Sequence, residues 1–563
     1  MRIRIGENDQ QATIAFLMRP EAYGLPGPVE RIDTHAAIVF LAGDRAYKLK
    51  RAVRYSYLDF STIAKRKAVC EAELALNQRT AAELYLEVRS INRLADGTLS
   101  FDEGEAIDWL VVMRRFAADS LLEAVALQGR LDAPLVRELA DQIASFHDDA
   151  EVEKGDGAER VGRVIEGNRA TMATLPPASL PPRECSDLHA RSIEEWSRLA
   201  PLLDQRAAAG HVRHCHGDLH LANICLWRGK PTLFDCLEFD AALATTDVLY
   251  DLAFLVMDLW ERGFSSQASL LFNRYLDMRD EAEGLAAFPL FLSMRCAIRA
   301  HVSATAAGRQ TSDKARRAKL GMAREYLRAA HRFLDHPAPR LVAIGGLSGS
   351  GKSTLAGALA ARIGGAPGAR WLRTDVLRKR LASVAPETKL PQDAYSRENN
   401  ATVYAVLLES AARTLATGYS VIVDGVFADP AERAKIAAVA KAAGVGFTGV
   451  WLAASPATLL DRVATRIGDP SDADHQVVER QLDYDLGDLG DWLKVNAECA
   501  PDAILARTLN GISEATAGRS KGGVTSGIPG SGSSSSGTGG SISGGSRNGC
   551  SSGSEPGGAS GGD

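Results

Sequence analysis

Gly346-Leu-Ser-Gly-Ser-Gly351-Lys352-Ser353 fits the pattern GxxxxGK[ST]. An apolar run, Leu341–Ile344, leads straight into it, and a helical stretch, Thr354–Arg362, follows. A strand, a glycine loop and a helix in this order are the context that a phosphate-cradling loop requires. The glycines let backbone amides curl around phosphate oxygens without side-chain clash. The helix N-terminus adds its positive dipole end. Gly346, Ser348, Gly349, Ser350, Gly351 and Thr354 are therefore expected to surround a nucleotide. Lys352 would reach its β- and γ-phosphates, and Ser353 would hold Mg²⁺. ATP and Mg²⁺ are the ligands this implies.

Working downstream, Val421-Ile-Val-Asp424 is an apolar strand ending in an acid, which suits a second carboxylate on the Mg²⁺ side. Asp375 follows a short strand at Trp371-Leu372 and could accept a proton from an acceptor hydroxyl. Arg378 lies one helical turn further on and could bind the substrate. A helix-capping Asp beside a solvated Arg fits the same residues. Arg462 and Arg466 sit four apart, on one helix face, which suits either a phosphate clamp from a lid or a solvated surface. Strand and helix signals alternate from about residue 341 to 510, as in a parallel sheet flanked by helices. Glycine loop, Asp-x-x-Arg, Asp-ended strand and arginine-bearing lid, in that order, resemble the small P-loop kinases: the gluconate, shikimate and polynucleotide kinase group, with the zeta toxins. The resemblance implies phosphoryl transfer from ATP to a small acceptor, with Asp375 and Lys352 as catalytic residues. It does not identify the acceptor.

A second constellation lies upstream. His216-Gly-Asp218-Leu-His-Leu-Ala-Asn223 precedes an apolar strand, Thr232–Phe234, and then Asp235. An Asp, an Asn five positions on and a strand-borne Asp match a kinase catalytic loop and its metal site. Asp218 would orient or deprotonate an acceptor hydroxyl, while Asn223 and Asp235 would bind Mg²⁺. The segment resembles the aminoglycoside phosphotransferase and choline kinase branch of the protein-kinase-like fold, over most of residues 30–330. In that branch the metal Asp lies in a D-x-E context. Asp235-Cys-Leu-Glu238 is one residue longer, so Asp235 carries over and Glu238 does not. Asp247 and Asp251 also look like that branch, where such acids are mainly structural.

The small lobe of such a fold needs a lysine for the ATP phosphates. Ala46-Tyr-Lys48-Leu-Lys50 is strand-like, and its two lysines share one face. Lys48 is favoured, with Glu73, or else Glu71, of the next helix as its partner. No GxGxxG roof is present, which disfavours a protein substrate.

The bulk numbers agree with several domains. The chain has 563 residues, 45% hydrophobic and 24% charged, too many for one core. The expected order is an α+β protein-kinase-like domain over 1–335, a linker at 336–340, an α/β P-loop domain over 341–510 and a Gly/Ser-rich tail from 511. The linker, His336-Pro-Ala-Pro-Arg340, is stiffened by its two prolines. The tail has too few aliphatic residues to form a core. A net charge of −5 offers no global basic field for nucleic acid or membrane. Eight scattered cysteines without a CxxC pair read as free thiols. With a polar start, a cytoplasmic protein is expected. The whole order resembles a bacterial type that joins an aminoglycoside-phosphotransferase-like domain to an ATP-binding one. It implies a tandem small-molecule kinase. The alternative is a regulatory or nucleotide-sensing ATPase with one degenerate site.

Overall fold

The computed structural model describes residues 10–34, 36–55, 58–465 and 471–521. The first domain opens with a six-stranded antiparallel sheet. Its order is Glu30–Asp33, Ala37–Ala42, Arg45–Lys50, Glu105–Arg114, Tyr85–Arg93, Leu99–Phe101. The apolar runs Ala-Ile-Val-Phe-Leu-Ala and Trp-Leu-Val-Val-Met lie in it as inner strands. Glu30–Asp33, exposed throughout, has no apolar pattern that would announce a strand. Helix Ile63–Ala81 begins at Thr62, whose hydroxyl accepts from the Lys65 amide, and packs on the sheet with Glu73 fully buried beneath it.

From Leu122 onward the first domain is mostly helical. Its core gathers around Val248–Glu261, in which all twelve residues from Val248 to Leu259 are buried. Among the described residues, Glu283–Ala307 is long and apolar enough to cross a membrane, but 67% of its apolar window is buried inside the protein, as in a core helix.

The second domain is a five-stranded parallel sheet. Its order is Arg370–Arg373, Val421–Asp424, Arg340–Gly345, Gly446–Ala453, Leu493–Asn496. Helices cover both faces, giving two apolar layers, one around Leu407 and Ile436 and one around Leu359 and Ile512. The boundary expected at residue 510 needs correction. The last helix runs from Pro501 to Lys521, straight through Gly511, and Ile512 is buried in the second layer. Glycine at 511 is not a stop: a Cβ there would come within 2.5 Å of Leu493, so a small residue lets the helix approach the sheet. Ending the chain at 510 should remove about 2 kcal/mol of burial and lower Tm by roughly 4–8 °C. Ending it at Lys521 should leave Tm unchanged. Thermal melts of the two truncations check this.

Candidate functional site

The glycine loop lies between the strand Arg340–Gly345 and the helix Lys352–Ala360. Gly349 and Gly351 have φ of +83° and +89°, which a side chain would strain. Ser348, Gly349, Gly351, Lys352, Ser353 and Thr354 line a cleft of about 1820 Å³. Gly346 and Ser350, expected among the nucleotide contacts, stand behind the loop. A Cβ on Gly346 would meet the Leu452 carbonyl at 2.7 Å, and the Ser350 amide is spent on the Leu347 carbonyl. The Ser348 amide donates to Gln481 Oε1 at 2.7 Å, and Lys352 Nζ to the Leu347 carbonyl at 3.0 Å.

Across the cleft floor, Ser353 Oγ donates to Asp424 Oδ2 at 2.6 Å. Parallel pairing sets Ile344 opposite Asp424, so the strand that ends in the acid runs beside the one that feeds the loop. Hydroxyl and carboxylate side by side are oxygen donors suited to a hard divalent cation. Burial pushes the Asp424 carboxyl up, against the opposing pull of Lys352 and of the Ser353 hydroxyl. Mg²⁺ needs the ionised acid, so protons compete with it. The Mg²⁺ affinity of this cleft should therefore still be rising with pH above the usual carboxylate range. Asp424→Asn should flatten that slope, as read by Mg²⁺ titration at fixed nucleotide.

Asp375 and Arg378 line the same cleft, in helix Thr374–Leu381. Arg378 is largely committed to the protein: it donates to the Ala394 carbonyl at 2.8 Å and to Asn400 Oδ1 at 2.7 Å, and lies over the Tyr395 ring. It braces the wall rather than offering an open fork. Arg462 also lines the cleft, with one guanidinium nitrogen on the Ala497 carbonyl at 2.9 Å. Arg466 lies outside the described residues. Opposite Arg462, Asp472 accepts from Lys379 Nζ and the Tyr395 hydroxyl, each at 2.5 Å, and so ties the segment after residue 470 to the far wall. No sequence pattern marked that contact.

In the first domain, the His216-Gly217-Asp218 loop is held from below by helix Val248–Glu261. Asp251 accepts from the amides of His216 at 3.2 Å and Gly217 at 2.8 Å; Asp258 accepts from the Leu221 amide at 3.1 Å. Arg295 donates to the Gly217 carbonyl while lying over the Tyr250 ring. Asp251 is thus a loop anchor, as the resemblance implied. Asn223 Nδ2 donates to Asp218 Oδ2 at 2.9 Å, which leaves the amide oxygen of Asn223 as the atom to offer a metal. Burial alone would raise the Asp218 carboxyl. His220, 3.5 Å away, and His216 and Arg295 beyond it hold it well below the usual carboxylate range. So weak a base orients a hydroxyl better than it deprotonates one.

Facing this loop, Lys48 Nζ lies 2.7 Å from Glu73 Oε1 and 2.5 Å from Asp235 Oδ1. Lys50 Nζ lies 2.6 Å from Glu73 Oε2 and also pairs with Glu238. The choice between the lysines dissolves: both reach Glu73, one on each oxygen. Glu71 instead lies near Lys67 on the helix surface. Glu238, set aside on spacing, enters the cluster. Asp235 takes φ of +62°, in the left-handed region. The two lysines hold Glu73 well below the usual range, against its burial.

The family model "Phosphotransferase enzyme family" matches residues 44–286, and the model "AAA domain" matches residues 341–485. An uncharacterized protein of Mycobacterium tuberculosis is 31% identical over 477 residues, covering 81% of this chain and 90% of that protein. One of Mycobacterium bovis matches to the same extent. Among solved structures, a choline/ethanolamine kinase family protein from Mesorhizobium loti is 15% identical and covers 57% of this chain and 98% of its own, with a TM-score of 0.36. A gluconokinase from Sinorhizobium meliloti is 21% identical and covers 33% and 99%, with a TM-score of 0.26. The chain belongs to one family with the mycobacterial proteins, joining a domain that matches the phosphotransferase family model to one that matches the AAA domain model.

Proposed function

We propose that the chain is a tandem ATP-dependent phosphotransferase that uses Mg²⁺ and acts on small-molecule hydroxyl acceptors. The observation that carries this reading is the Ser353–Asp424 pair at 2.6 Å, which opens with Lys352 and Asp375 onto one large cleft. Bound Mg·ATP supplies the phosphoryl group and shields its charge. Around it, Ser353 and Asp424 hold the metal, the amides of the glycine loop and Lys352 hold the phosphates, and Asp375 orients the acceptor. In the first domain Asn223 and Asp235 hold the metal, Lys48 neutralises phosphate and Asp218 orients the acceptor.

One observation favours a second reading for the first domain, that of a nucleotide sensor. Lys48 sits directly on Asp235, and Lys50 on Glu238, so nucleotide or metal arriving at Asp235 would shift this ion-pair network, as a sensor requires. ATP consumption by the full chain, with and without sugars, amino alcohols, aminoglycosides and nucleosides, separates the two. Acceptor-dependent ADP release that survives Lys352→Ala assigns turnover to the first domain. Nucleotide binding there without any acceptor-dependent release supports the sensor.

A further inference from the structure

The parallel sheet of the second domain ends at the strand Arg370–Arg373. Its outer side is met by helix Ser265–Met278 of the first domain. The Asn273 carboxamide accepts from the Trp371 amide at 2.7 Å and donates to the Ala369 carbonyl at 3.1 Å. One side chain thus bonds two backbone groups two residues apart, as a neighbouring strand would. One turn further along the helix, Asp277 lies 2.8 Å from Arg370 and 3.5 Å from Arg373. Asn273, Asp277 and Arg370 are all buried.

Arg373 faces two ways. It is the register partner of Asp424, so the two side chains leave the sheet on the same face, their strands about 5 Å apart. It lines the cleft beside Asp375, two residues on in the chain. Its guanidinium lies 4.3 Å over the Trp371 ring, and that ring packs on Gly357 of the helix that follows the glycine loop. Its Nε is buried and has no hydrogen-bond partner among the described residues. A buried guanidinium N–H without an acceptor is costly, and an oxyanion brought to it would relieve that cost. Arg373 thus lines one cleft with Asp375 and with Asp424, the acid paired with Ser353.

We propose that Arg373 contacts the terminal phosphate of ATP in the second domain, and that Asp277 of the first domain is the positioning residue that aims it. The first domain then completes the site of the second. The inference rests on the nucleotide reading of the glycine loop.

The test compares Mg·ATP and Mg·ADP binding to the full chain by calorimetry, with Lys352→Ala marking the part that belongs to this cleft. In Arg373→Ala and in Asp277→Asn, the preference for ATP over ADP should fall about tenfold. Mg·ADP affinity should stay as in the parent even though loss of the buried Arg370 pair lowers Tm in Asp277→Asn, and Asp277→Glu should restore part of the preference. An unchanged ratio in both variants overturns the proposal, as does a parent that binds both nucleotides equally. So does an equal loss of ATP and ADP affinity in Asp277→Asn, which would make Asp277 a packing residue only. If no binding depends on Lys352, the phosphotransferase reading of this domain fails, and this inference falls with it.

Discussion

In Lys352→Ala, Mg·ATP affinity of the second domain falls roughly a hundredfold or more, about 3 kcal/mol. Lys352 follows the loop glycines and lines the cleft; without ligand, its ammonium rests on the Leu347 carbonyl at 3.0 Å. That is a neutral acceptor, easily exchanged for phosphate oxygens. Alanine removes the charge-assisted bonds and leaves the phosphates without the lysine charge near a buried carboxylate, Asp424. The helix keeps its propensity, so Tm should hardly move. Calorimetric titration of the full chain checks the effect. Unchanged affinity would remove the nucleotide assignment from the glycine loop.

Asp218→Asn should lower turnover of the first domain by about 10²-fold or more, with little change in ATP affinity. The amide keeps the shape and a hydrogen bond to Asn223 but loses the charge that His220 and His216 stabilise. Asp235→Asn should act on another step. It removes a metal donor and frees Lys48 from its pair at 2.5 Å, so Mg²⁺ dependence and nucleotide affinity should both weaken. Rates are measured in a Lys352→Ala background with an acceptor found by screening. If both substitutions leave binding and turnover intact, the kinase-like reading of the first domain is wrong.

Both loops were legible because each is continuous in sequence and each needs fixed residue types at fixed spacing. The strands that carry them were legible as apolar runs: Leu341–Ile344, Val421–Val423 and Trp109–Met113 all lie in inner strands or feed a loop. Other features were hidden for physical reasons. A period of two puts Lys48 and Lys50 on one face, and only the position of Glu73 shows that both are used. Glu238 was masked by one extra residue in the spacing, yet it pairs with Lys50. Gly346 and Ser350 look alike in a one-dimensional motif, yet Gly346 lies against Leu452 of a neighbouring strand and the Ser350 amide bonds within the loop, to Leu347. The helix through Gly511 was missed because glycine reads as a breaker, whereas here it grants close approach to Leu493. Contacts between the domains leave no local trace at all. Asn273 and Trp371 are 98 residues apart, and neither carries a pattern that names the other.

The Asn273 side chain has a consequence for solubility. A strand with bare amide and carbonyl groups is a template on which other chains can add, and proteins blunt such templates by covering them. Here the cover belongs to the other domain, and it is one carboxamide flanked by the Asp277 charge. A fragment beginning near Arg340 would display the Ala369–Trp371 backbone to solvent, next to the apolar face of Trp371. Such a fragment should self-associate strand to strand in a concentration-dependent way, while the intact chain stays dispersed. Fusion of the two halves then acts as a built-in guard against polymerisation, whichever reactions the halves perform.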